Sequence, residues 1–130
     1  MCYNKSMEHK YPKYISAKEA SEYVAIDGEW MLHFFNFVDD FRNTKDSKMV
    51  EDALIETLDP KFQALLASIV CTLCDELKIK IPAWAFKTQW LKCPWFVSGI
   101  ENLKAMAISE SPIYFRRNNI WVLDNFLSRA

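Results

Sequence analysis

Two cysteines three residues apart, Cys71 and Cys74, are the first place where this sequence could do chemistry. Thiols at that spacing share a helical face, where they could ligate zinc or exchange a disulfide. Each chemistry needs more than the pair. A structural zinc site usually takes four Cys or His ligands from two such pairs, and the remaining candidates Cys2, Cys93, His9 and His33 show no ligand spacing. A redox pair draws its low thiol pKa from a helix N-terminus, whereas these cysteines lie about three turns into a helical run. Cys71 and Cys74 are therefore read as core residues, and no metal or cofactor is expected. His33 stands beside Phe34 and Phe35 with no nucleophile at motif spacing. Asp39-Asp40 and Glu51-Asp52 are adjacent acids that diverge around a helix, so they read as solvated faces. With two glycines in the chain there is no glycine-rich phosphate loop. No catalytic residue is assigned.

Recognition is the other chemistry available. Segment 84–96 holds Trp84, Phe86, Trp90, Trp95 and Phe96, interleaved with Lys87 and Lys92. Aromatics alternating with bases can stack on single-stranded nucleic acid. They can equally anchor a protein interface or seal the end of a helix bundle. Segment 110–130 places Tyr114 and Phe115 before Arg116, Arg117, Asn118 and Asn119, and then Ile120 to Leu123. Its arginines either pair with Glu110 as structure or project to grip carboxylates or phosphates. Trp84, Trp90, Trp95, Glu110, Arg116, Arg117 and Asn118 are the candidate partner-binding residues.

The element that must position these segments is a long helix over 60–78. Asp59 is a good N-cap, and Pro60 is tolerated in the first turn because its missing N–H has no helical acceptor. Phe62, Leu65, Leu66, Ile69, Val70, Leu73 and Leu77 recur at three- and four-residue steps, with Ala64, Ala67, Cys71 and Cys74 beside them. Such a helix needs neighbours around most of its circumference. Ser16 with Glu19 forms a capping box for a helix over 17–26, and Asp27-Gly28 is a turn signal. A second helix over 29–43 is marked by Trp30, Phe34, Phe37, Val38 and Phe41. A third, over 48–58, turns Met49, Ala53 and Leu54 inward. Beyond Lys78, short helices are expected over 83–91, 100–109 and 112–117, the last with Ser111 as N-cap, and Asp124 caps a final turn over 125–129. The alternating runs 79–81 and 120–123 could pair as a small hairpin.

The 130 residues form one domain, enough to bury roughly two-thirds of the unfolded surface without a staple. A chain 51% hydrophobic with few turn residues favours helices over a sandwich or barrel. The expected fold is all-α: five to seven helices around the central one, with room for one two-stranded β element. Residues 1–14 read as a loose polar arm, and 15–130 as the domain. The net charge of −1 argues against a generic polyanion binder. It is unevenly spread: eleven acids against three bases over 19–59 give −8, and eight bases against three acids over 78–129 give +5. Four scattered cysteines, no signal-like N-terminus and no apolar run of about 18 residues point to a cytoplasmic, reduced protein away from membranes.

One further pattern lies in the order of EWMLHFFNFVDDFRN, PAW, PWF and ESPIYFRRNNIWVL before a terminal RA. It resembles a group of small bacterial helical proteins, some of them similar to antitoxin companions of nucleotidyltransferase-type toxins. The matching positions are Trp30, Phe37, Phe41, Arg42, Pro82, Trp84, Trp95, Phe96, Glu110, Ser111, Pro112, Phe115, Arg116, Asn118 and Ile120. The resemblance covers about residues 15–130, leaves the first fourteen without a counterpart and carries no catalytic motif. It implies a non-enzymatic regulator, antitoxin-like or part of a defence locus, acting through a protein–protein interface. The alternative is nucleic-acid binding by the basic, aromatic C-terminal half, and homo-oligomerisation is open to either.

Overall fold

The structure, a computed structural model, describes residues 14–87, 89–99 and 103–128. Helix α1 (Ala17–Asp27) opens on the expected capping box: Glu19 N donates to Ser16 Oγ at 3.1 Å and Ser16 N donates to the Glu19 carboxylate at 2.9 Å. It stops at Gly28, whose φ of 73° few side chains tolerate. Helix α2 (Trp30–Thr44) sends Phe34, Phe37, Val38 and Phe41 into the core. Helix α3 (Pro60–Leu77) begins on Asp59, whose carboxylate accepts from Lys61 N at 3.0 Å. Every residue from Ala64 to Cys71 is buried, together with Leu73 and Cys74, so this helix is enclosed on all sides, as its periodicity predicts. It contacts α1, α2 and two later one-turn helices, α4 (Ala83–Phe86) and α6 (Ile113–Arg116). Each fully buried Phe or Leu along this axis contributes about 1.5–3 kcal/mol through surface removed from water.

The remainder is short pieces: strand β1 (Trp95–Phe96), helix α5 (Lys104–Glu110) and strand β2 (Ile120–Trp121). The fold is thus mainly helical with one small sheet. No helix among the described residues is long and apolar enough to cross a membrane. Of the arm expected over 1–14, only Tyr14 lies within the described residues.

Several local expectations give way. Residues 48–58 are not a helix: a 3-10 turn covers Ser47–Val50 and the rest is loop. Val50 is the buried residue there, while Met49 and Leu54 are half-buried and Ala53 is exposed. The backbone is drawn off by side chains from outside the segment. Val50 O accepts from Trp84 Nε1 at 2.8 Å, Ile55 N donates to Ser21 Oγ at 3.4 Å, and Gln63 Nε2 donates to the carbonyls of Glu56 and Leu58 at 3.2 and 2.6 Å. The hairpin between 79–81 and 120–123 does not form either. Lys78 turns the chain in the left-handed region at φ 61°, Ile79 and Ile81 pack against the core, and β2 pairs in parallel with β1, Trp95 opposite Ile120.

The helix expected over 83–91 ends after one turn. The N–H groups of Gln89 and Leu91, which would continue it, are taken by Asn118. Helix α5 starts later than 100–109 suggests: Ala107 is buried and Leu103 half-buried as expected, while Ile100 lies outside the described residues. Ser111 does not cap α6, because its Oγ donates to Ile120 O at 3.1 Å and accepts from Val122 N at 3.3 Å; Pro112 holds the cap position. The last segment is a turn over 124–127.

Candidate interaction site

The turn after α6 organises the most exposed aromatic surface among the described residues. Arg117, Asn118 and Asn119 follow the helix directly, and Asn119 takes φ 66°, a conformation asparagine tolerates. Asn118 is 1% exposed. Its Nδ2 donates to Ser68 Oγ on α3 at 2.9 Å, its Oδ1 accepts from Gln89 N at 2.8 Å, and its carbonyl accepts from Leu91 N at 3.1 Å. Asn119 Nδ2 donates to Leu91 O at 2.9 Å, and its carbonyl accepts from Trp95 N at 3.1 Å. The Arg117 guanidinium donates to Phe86 O. One three-residue turn therefore bonds Phe86, Gln89, Leu91 and Trp95, at the ends and in the middle of the described part of loop 87–94 (residues 87 and 89–94), and through Ser68 it ties the loop to the buried axis. What the clamp displays is Trp90, 63% exposed between the anchored residues Gln89 and Leu91, and Phe86, 54% exposed at the loop's start. Lys87 and Lys92 beside them are exposed as well.

The other aromatics of segment 84–96 face inward. Trp84 is half-buried with its indole N–H on Val50 O. Trp95 is half-buried against Trp30 and Phe62, with ring centroids 5.9 and 6.0 Å away. Phe96 stacks on Trp121 at 6.4 Å. The two arginines also differ. Arg116 lies 5.8 Å over the Trp121 ring and donates to the carbonyls of Ser111 and Ile108 at 3.2 and 3.3 Å, closing the end of α5. Arg117 lies 4.7 Å over Phe86 and 5.7 Å over Tyr114, with its Nε buried and given no acceptor. The Glu110 carboxylate accepts from Asp124 N at 3.3 Å and forms no ion pair with either arginine.

The residues weighed for catalysis lie elsewhere and are used internally. Cys71 and Cys74 are free and buried, and the Cys71 thiol donates to Ala85 O at 3.1 Å. Burial pushes both thiols up to about 11; Arg117 opposes the shift at Cys71, and Cys71 adds to it at Cys74. They are protonated and unreactive at neutral pH. Cys93 is exposed, and Cys2 and His9 lie outside the described residues. No group of three or more His, Cys, Asp or Glu among the described residues is arranged to hold a metal. Asp40 accepts from Ile15 N at 3.0 Å, while Glu51 and Asp52 are exposed.

His33 is fully buried. Its Nε2 lies 2.9 and 3.0 Å from the two Asp27 oxygens, and its ring stacks on Tyr23 at 5.3 Å. The pair joins the first turn of α2 to the last residue of α1 across Gly28. Sequence reasoning took Asp27-Gly28 only as a turn; a histidine just beyond it on the next helix was the available signal for the pair. The clamp function of Asn118 and Asn119 carried no such signal.

A groove of about 310 Å³ lies beside the displayed loop, lined by Ala53, Leu54, Gln63, Trp84, Lys87 and Gln89. A separate apolar groove of about 200 Å³ runs past Met31, Val97, Trp121, Leu123 and Phe126. No protein-family model matches the chain, and no curated protein or solved structure matches it.

Proposed function

We propose that this chain is a non-enzymatic regulator that works by binding another protein, with loop 87–94 and the neighbouring Phe86 at the centre of the interface. The observation that carries this reading is the immobilised display of Trp90. A ring 63% exposed costs free energy in contact with water unless something covers it. A tryptophan already held in one loop conformation loses little entropy on binding, the property of an interface hot spot. Support also comes from how the reactive groups are used: His33 joins two helices, and the thiols of Cys71 and Cys74 are held protonated inside α3. Free thiols suit a reducing cytoplasm. The antitoxin-like setting implied by the sequence resemblance suits a protein that acts by covering a partner.

The test starts from a pull-down with the full chain in its host, followed by titration of the captured protein. Replacing Trp90 by alanine should weaken that complex by about tenfold or more, the scale of a central aromatic anchor. Equal affinity for the variant would remove loop 87–94 as the interface.

A further inference from the structure

The turn that clamps this loop carries a charge that no carboxylate among the described residues pairs with, and it defines what the partner must bring. Arg117 is half-buried, stacked over Phe86 and Tyr114, and committed on one side to Phe86 O. No carboxylate among the described residues pairs with it, in contrast to Arg42, whose guanidinium is held by both oxygens of Glu76 at 2.8 and 2.9 Å. Its Nε is buried, so contact with a partner falls to the Nη end of the fork. Two exposed lysines, Lys87 and Lys92, flank the displayed rings.

We propose that the surface formed by Phe86, Trp90 and Arg117 binds a short acidic protein segment, placing a partner carboxylate on Arg117 and an apolar partner side chain against Trp90. This rests on the protein-binding reading above and adds the chemistry of the partner. A stacked, preordered guanidinium gives an incoming carboxylate a charge-assisted hydrogen bond with little entropy to lose. Nucleic acid also carries anions, but the local charge disfavours it. Glu51, Asp52 and Glu56 are exposed on the loop that forms the opposite wall of the groove beside Lys87 and Gln89. A long polyanion running from Lys87 along that groove would lie against the loop that carries those acids, whereas a segment with one or two carboxylates on Arg117 need not enter it. The inward placement of Trp84 and Trp95 also leaves only Phe86 and Trp90 of this segment as open stacking surfaces.

The experiment pans a random twelve-residue peptide library on the full chain and measures selected peptides against four proteins: the parent, Trp90→Ala, Arg117→Lys, and the doubly charge-reversed Lys87→Glu/Lys92→Glu. A labelled oligothymidine serves as the polyanion probe. Selected peptides should hold Asp or Glu next to an aromatic or aliphatic residue. They should bind Trp90→Ala and the charge-reversed protein about tenfold or more weakly, and replacing their acids by amides should cost as much. Both lysines are exposed, so the charge reversal tests the inference even where Arg117→Lys loosens the loop; melting curves report that loosening. Peptides that lose affinity for Trp90→Ala but carry no acid, or are indifferent to the charge reversal, overturn this inference and leave the interface standing. Peptides indifferent to Trp90→Ala remove the interface itself. Oligothymidine bound more tightly than any peptide, with affinity falling steeply in salt, would assign the surface to nucleic acid.

Discussion

Helix α3 and loop 87–94 each hold a conspicuous motif, and they are built on opposite principles. The helix is held by area: residues 64–71 are buried without interruption, and its two thiols are enclosed with them. The loop is held by direction: it has little apolar surface inside, and its position is fixed by hydrogen bonds from Arg117, Asn118 and Asn119. Burial made the reactive-looking motif inert, and a polar clamp gave exposed rings a fixed position. A motif's accessibility, and not its chemical type, separates the two.

The contrast can be broken most forcefully at the helix. Leu66→Ala removes a fully buried side chain and should cost about 3–5 kcal/mol by denaturant unfolding. The folded fraction should keep its affinity for the partner, because Leu66 is buried in α3 and forms no part of the displayed surface. A fall in affinity out of proportion to the unfolded fraction would mean that axis and loop are not separable. Asn118→Ala comes next. It leaves the Gln89 N–H without its acceptor and the Ser68 hydroxyl oxygen without the donor it accepts from, and should cost about 2–3 kcal/mol. Unlike the helix variant it should also weaken binding, since the loop loses its anchor. Faster amide exchange at Gln89 and Leu91, with exchange in α3 unchanged, would sharpen the assignment.

Each of the two thiols gives a pH signature of about 2 kcal/mol by pH 11. In the unfolded chain they ionise near 9.0, and in the fold near about 11. Between those values the unfolded state has released protons that the folded state retains, so stability is full below about 9 and falls as pH rises towards 11. A Cys71→Ala/Cys74→Ala variant should show a flatter decline over that window, and an unchanged slope would mean that other groups carry it. In the parent at neutral pH, a thiol reagent should label Cys93 at once and reach Cys71 and Cys74 only on unfolding. The smallest effect belongs to Trp90→Ala, which should change stability by no more than about 0.5 kcal/mol while abolishing most of the binding. A large loss of stability would show that Trp90 is a structural residue after all.

The residues that sequence reasoning marked for recognition divide along this same line. Trp90 was a candidate for partner binding, in a segment that could equally have sealed the bundle, and is exposed. Asn118 was marked beside it and is buried, and Arg116 closes the end of a helix. Their residue types could not separate these roles, because a guanidinium grips a backbone carbonyl as readily as a partner's carboxylate. The predicted third helix failed for a related reason. Its pattern over 48–58 is compatible with a helix, but Trp84 and Ser21 from distant parts of the chain, and Gln63 from the start of α3, offer its backbone other partners.

By itself the sequence determined the helical class, the capping box at Ser16, the start of α3 on Asp59 and the burial of the middle of that helix. Each follows from residues within a turn or two of one another, where period and cap chemistry act locally. Only the tertiary structure decided the parallel pairing of Trp95 with Ile120, the His33–Asp27 pair and the clamp that displays Trp90. Asn118 reaches Gln89 across 29 residues and Ser68 across 50. Hydrogen bonds over such separations depend on where packing brings the chain together, and the sequence leaves no periodic trace of them.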